Sequence, residues 1–303
     1  MSGHGHAGGH AHGHSAAGRH RWRLAVVFGL TASFFVVELV AGLAAGSLAL
    51  ISDAGHMAAD VVTLGAALVA TRIATRPDTT GRRTFGSYRA EVFASGLAVL
   101  MMLGVSVYIV IEAVGRIGSP AEPASGVMLL VGVIGLAINA VGLVLLRAGA
   151  GESLNVKGAY LEVLADSLGS VGVIAAGALV ALTGAGWWDT VVALAIAAFV
   201  AVRAVLLGRE VLAVLGQQAP AGVEPTKMLA ALEAVPGVEQ VHDLHVWQLT
   251  SGMNVASAHL VTGEASGGEV LKRAGATLRD DFGIAHATIQ VEVPGVRCHG
   301  ADW

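Results

Sequence analysis

Residues 48–73 read LALISDAGHMAADVVTLGAALVATRI, an apolar run of bilayer-crossing length that nevertheless carries Asp53, His56 and Asp60. A hydrocarbon core about 30 Å thick needs about 20 predominantly apolar residues in a helix. An ionised group at its centre costs about 2.5–3.5 kcal/mol on insertion scales, so such groups persist where they face a cavity, a partner or an ion. Steps of three and four residues put Asp53, His56 and Asp60 on one helix face. The stretch therefore reads as one span of an α-helical membrane bundle with a charged interior.

The rest of the chain supports that assignment. Of 303 residues, 54% are hydrophobic and 13% charged, and the mean hydropathy is +0.69; a soluble domain carries about 25% charge. Runs at 24–45, 48–73, 92–114, 126–146, 159–182 and 191–207 give six spans, separated by breaks such as TRPDTTGRR at 75–83, GSPAEPAS at 118–125 and TGAGWWD at 183–189. Trp187 and Trp188 suit an interfacial belt. Arg19, Arg21, Arg23, Arg72, Arg76, Arg82, Arg83, Arg89, Arg147, Lys157, Arg203 and Arg209 flank one side, and Arg116 alone the other. That bias, with an even span count, predicts both termini in the cytoplasm. The N-terminal stretch has no apolar centre of the secretory-signal kind, so the first run is expected to remain as an anchor.

Residues 209–303 hold 17 of the 40 charged side chains and change the rhythm. A helical pattern at 226–235 is followed by alternation at 238–250 and 254–262, a second helix at 268–282 and a strand at 285–293. This αββαβ order predicts a small α+β domain. The expected organisation is 1–21 as a His-rich disordered tail, 22–208 as the membrane domain, 209–297 as a cytoplasmic domain and 298–303 as a terminal tail. With 6 basic and 11 acidic residues, 209–303 does not fit a nucleic-acid partner. Cys298 is the single cysteine, so no intrachain disulfide framework exists.

The chemistry concentrates in three places. The fifth span holds Glu162 and Asp166, again four apart on one face, so His56, Asp60, Glu162 and Asp166 together offer one nitrogen and several oxygens to a divalent cation. In the tail domain His242, His245, His259, His286 and Glu292 come from three strands, a set suited to a Zn-like site. The N-terminal His4, His6, His10, His12, His14 and His20 form a loose metal-capture tract, and Cys298-His299 is a weaker addition. Glu38 lies deep enough to line a proton or water path; Glu91 and Glu112 lie near span ends, within reach of headgroups, and Asn139 is a further polar group in a span. An HExxH pattern, a Ser-His-Asp set and a phosphate-cradling glycine loop are all missing, so catalysis is not expected.

GSLALISDAGHMAAD at the second span, RTFGSYRAEVFA entering the third, NVKGAYLEVLADSLGS in the fifth, and PGVEQVHDLHVWQL with ASAHLV in the tail are similar to the cation diffusion facilitator family of heavy-metal efflux transporters. The resemblance covers nearly the whole chain. It implies a homodimer of six-helix protomers in the cell membrane, each with a ferredoxin-like, metallochaperone-like cytoplasmic domain. It further implies alternating-access exchange of a divalent metal, foremost Zn²⁺, for protons. The transport site then falls on His56, Asp60, Glu162 and Asp166, and cytoplasmic metal sites on His242, His259, His286 and Glu292. Zinc members usually carry His at the position of Glu162. The extra carboxylate makes the site harder and gives a bound dication a formal charge of −1, which favours Mn²⁺ or Fe²⁺; the histidines draw back toward Zn²⁺, Co²⁺ or Ni²⁺. A membrane metal sensor without vectorial transport and a carrier of protonated amines are the competing expectations.

Overall fold

A computed structural model describes residues 16–74, 84–117, 122–150, 154–263 and 267–293. Residues 1–14 of the histidine tract, Arg76, Arg82, Arg83 and Cys298-His299 lie outside them. Six long helices come first: α1 (Ala16–Ala45), α2 (Leu48–Ala74), α3 (Ala90–Gly115), α4 (Ser125–Ala150), α5 (Leu154–Thr183) and α6 (Trp187–Leu215). Among the described residues, five are long and apolar enough to cross a membrane by composition alone. The sixth, α2, carries the ionisable face of Asp53, His56 and Asp60.

The chain divides into two compact units, residues 1–64 with 98–204 and residues 65–97 with 205–303. In the first, α4 and α5 pack together extensively and α1 packs against α4. Phe34, Leu48, Leu50, Met57, Ile109, Met128, Val131 and Val173 interlock there around Ala49, Ala176, Ala193 and Ala197. In lipid the hydrophobic effect does not distinguish a neighbouring helix from an acyl chain, so small residues that permit close approach supply the cohesion. Leu100, Val144 and Leu182 point outward, fully consistent with lipid contact.

The α1–α2 hairpin closes through Gly46, whose φ of +63° is a conformation glycine adopts without steric cost. Ser47 then caps α2, its Oγ accepting from the Leu50 amide at 3.2 Å. A buried carboxylate from α6 completes the cap. Asp189 accepts from Ser47 Oγ at 2.6 Å and from the Leu48 and Ala49 amides at 2.7 and 3.1 Å, and Arg116 lies 3.4 Å from it. The negative charge thus meets the free amides and dipole of a helix N-terminus.

In the second unit α7 (Pro225–Glu233), β1 (Val238–Thr250), β2 (Met253–Thr262), α8 (Gly267–Asp280) and β3 (His286–Glu292) follow in the expected αββαβ order. The sheet order is β1-β2-β3, with β1 antiparallel and β3 parallel to β2. A parallel neighbour requires a crossover, which α8 provides. Met228 and Leu232 of α7 and Val270, Ala274 and Leu278 of α8 meet Val241, Val246, Ala256 and Leu260 in one core. Glu91, expected near headgroups, accepts a hydrogen bond from Thr250 Oγ1 at 2.9 Å.

Candidate metal centre

Helix α2 presents His56 and Asp60 one turn apart, and α5 presents Asp166 opposite them. His56 Nε2 lies 3.8 Å from Asp60 Oδ2 and 3.6 Å from Asp166 Oδ1. One potential ligand atom from each residue falls within 4.8 Å of the others. The side chains of His56 and Asp166 are 3% and 4% exposed. Asp60 Oδ2 and Asp166 Oδ1 are buried and accept no hydrogen bond among the described residues. Buried carboxylate oxygens normally secure a partner because desolvation is otherwise uncompensated. Two that converge on one imidazole lone pair form a ligand set of the size and donor type a divalent cation takes.

Glu162, one turn before Asp166 on α5, stands outside that group. Its carboxylate is ion-paired with Arg203 of α6, and the other terminal nitrogen of the same guanidinium lies 2.9 Å from His56 Nε2. The sequence placed Arg203 among the basic flanks that orient the chain; the structure places it against the ligand cluster. A signal was available, because Arg203 falls inside the sixth apolar run, four residues before its end. The Phe199 ring, one turn earlier on α6, meets the His56 ring edge-on at 6.2 Å and lies 5.9 Å from the guanidinium carbon.

A second polar group adjoins the cluster. Glu38 of α1 and Asp53 of α2 are 1% and 2% exposed, and neither Glu38 carboxylate oxygen has a hydrogen-bond partner among the described residues. Gly169 of α5 leaves the space the Asp53 carboxylate fills, for a Cβ there would collide with Asp53 Oδ1. One residue on, Ser170 Oγ accepts from the Asn139 amide at 3.4 Å. Glu38, Asp53, Asn139 and Ser170 thus make a polar seam among three apolar helices and α2.

The tail cluster is built by register. His242 of β1 and His259 of β2 are directly opposed across the antiparallel pair, their rings 5.1 Å apart edge-to-face. Glu292 enters from the end of β3: its Oε2 lies 3.1 Å from His242 Nε2 and its Oε1 3.0 Å from His259 Nδ1. These three also offer ligand atoms within 4.8 Å of one another. An irregularity in β1 between His242 and His245 carries Asp243 at φ +52°, bringing its Oδ2 to 3.7 Å from His259 Nε2 and its Oδ1 to 2.9 Å from His245. His286 does not join them. It begins β3, paired with Val255, and six residue steps along the strand separate it from Glu292 by about 20 Å. Its ring instead meets Phe85 at 5.7 Å. Three strands do converge, but only one end of β3 takes part.

Comparison with known proteins places the chain in a wider set. Residues 24–215 match the cation efflux transmembrane domain, and residues 220–294 match the cation efflux protein cytoplasmic domain, a dimerisation domain. The chain is 42% identical over 296 residues to the metal cation efflux system protein CzcD of Cupriavidus metallidurans, covering 97% of this chain and 93% of that protein. It is 35% identical over 289 residues to the cadmium, cobalt and zinc/H⁺-K⁺ antiporter of Bacillus velezensis, covering 94% and 92%. Against the zinc transporter ZitB of Escherichia coli the figures are 34% over 300 residues, 98% and 95%. Since the matches run through the membrane helices and the tail alike, the chain belongs to the cation efflux family: it is a multi-pass membrane transporter with a cytoplasmic dimerisation domain.

Proposed function

We propose that this protein is a homodimeric Zn²⁺:H⁺ antiporter of the cell membrane, with both termini cytoplasmic, exporting the metal by alternating access. In this assignment residues 22–208 form the transport body and 209–297 the cytoplasmic domain. The observation that carries the proposal is the convergence of His56, Asp60 and Asp166, donors from two helices, on one buried point.

Charge decides the ion class. A neutral imidazole and two carboxylates balance a dication, whereas the sequence alone counted a third carboxylate and a residual −1. Glu162 is compensated by Arg203, so the extra carboxylate that argued for Mn²⁺ or Fe²⁺ is cancelled within the protein. One imidazole nitrogen and two carboxylate oxygens suit Zn²⁺, with a fourth position open for water and for exit. Names borne by similar proteins, zinc transporter and cadmium, cobalt and zinc/H⁺-K⁺ antiporter, agree with this class. Ligation requires deprotonated carboxylates and a free imidazole lone pair, so protons and metal compete for the same atoms. Opening toward the proton-rich side then releases one as it loads the other. In the tail, His242, His259 and Glu292 are proposed to hold a second metal that couples cytoplasmic supply to the dimer, with His286 apart from it in the protomer.

Purified protein in liposomes, given Zn²⁺ outside and an opposing proton gradient, is expected to move Zn²⁺ one way and protons the other. Asp60→Ala is expected to abolish this flux in folded protein. Wild-type rates in that variant would overturn the site, and metal binding without any vectorial flux would make the protein a sensor.

A further inference from the structure

Arg203 and His56 meet through the atom that matters most for an ion. His56 Nε2 is the nitrogen facing Asp60 and Asp166, and it is also the nitrogen 2.9 Å from Arg203 Nη1. A guanidinium has five N–H donors, no acceptor, and keeps its charge in proteins. In this contact Arg203 therefore donates and Nε2 accepts, which puts the ring proton on Nδ1. The lone pair that accepts from Arg203 is the one an ion at the cluster would need. A metal and the guanidinium cannot share it.

The other side of Arg203 is anchored. Nη2 pairs with Glu162, so releasing His56 does not release the arginine from the site. The Phe199 ring, close to both partners, gives the planar cation a face to lie on when it moves. The Arg203 and Glu162 side chains are 27% and 39% exposed, so neither is locked by surrounding packing as Asp166 is.

We infer that Arg203 is a tethered competitor for the transported ion, holding the His56 lone pair when the site is empty, with Glu162 as its retaining anchor. This rests on the site assigned above and adds a residue that sets affinity and selectivity. Net affinity becomes metal ligation minus the loss of the arginine contact. An ion that seeks imidazole displaces the guanidinium, whereas one that seeks only oxygen gains too little from His56 to do so. The same competition aids departure, because the arginine returns to the lone pair as the ion leaves.

The test uses the full chain in liposomes, measuring Zn²⁺ and Mn²⁺ flux for wild type, Arg203→Gln, Arg203→Lys and Glu162→Gln, with Asp60→Ala as the transport-dead control. Removing the competitor in Arg203→Gln should lower the KM for Zn²⁺ about tenfold and lower kcat as release slows. It should also raise Mn²⁺ transport relative to Zn²⁺, since Glu162 is then free to ligate. Arg203→Lys keeps the charge but not the fork that reaches His56 and Glu162 together, so its KM should fall between those of wild type and Arg203→Gln. Glu162→Gln leaves an unbalanced positive charge beside the ligands and should raise KM. Opposite shifts in KM from Arg203→Gln and Glu162→Gln are the signature. If both raise KM, or neither changes it while the wild type still carries Zn²⁺, the competitor role fails and the transport site stands. Should Arg203→Gln not fold, an unchanged KM in Glu162→Gln overturns the role by itself. Absence of Zn²⁺ flux in wild type would instead defeat the site on which the inference rests.

Discussion

The membrane cluster and the tail cluster use the same kinds of atom and obtain them by different geometry. In the membrane, His56 and Asp60 are adjacent because a helix brings residues four apart onto one face, and α5 supplies Asp166 across a helix interface. In the tail, His242 and His259 are adjacent because strand register opposes them, and Glu292 follows from the parallel pairing of β3. Solvent separates them further. His242 and His259 are 36% and 22% exposed, against 3% for His56. The same donors in a water-excluded setting interact far more strongly with a charge than donors at a wet surface. The first arrangement suits a site that must hold a bare ion in lipid, the second a site that samples an aqueous pool.

That contrast can be broken experimentally. The largest effect is expected from Asp166→Asn, which removes one of two carboxylate charges at the buried cluster. Transport of Zn²⁺ should fall about a hundredfold or more, while Zn²⁺ binding by the tail cluster persists. Comparable transport in the variant would show that the buried setting confers no special dependence on charge. Next comes Glu292→Gln, which weakens the tail cluster at its one buried member. Zn²⁺ flux at saturating metal should stay within about twofold, with the effect confined to several-fold weaker binding by the tail in calorimetry. A loss of flux equal to that in Asp166→Asn would make the two clusters one functional unit. His286→Ala should be the mildest. Standing at the opposite end of β3 from Glu292, it should leave zinc binding by the tail within about twofold of wild type in the same calorimetry. A larger loss would mean that His286 reaches a site assembled beyond the single protomer.

Much of the scaffold was legible in the chain because its determinants are local. Apolar runs of bilayer length mark helices without reference to any neighbour, and all six runs fall within α1 to α6. Alternation in β1 and β2 and the i, i+4 apolar series of α8 are likewise local. The two pairs of polar groups were visible for the same reason, since His56–Asp60 and Glu162–Asp166 share the helical step of four. Pairing by step does not say which members face the same point, and Glu162 proved to face Arg203. Arg203 itself was counted as a topological charge, because an arginine near the end of a span satisfies the basic-flank pattern whatever it touches. Asp189 was seen only as part of a turn, and its role as the cap of a helix 140 residues earlier has no local signature.

What the order of residues determined by itself is the class of object: a six-helix membrane bundle with intramembrane ionisable groups and an αββαβ tail. Those features follow from hydrophobic length and from periods of 3.6 and 2, which are properties of contiguous chain. Only the tertiary structure decided which of these polar groups meet, where Glu162 goes, that Arg203 reaches His56 Nε2, and which end of β3 joins the histidines. Each of these depends on the rotation and register of elements distant in sequence, set by close packing of side chains that no repeat in the chain encodes.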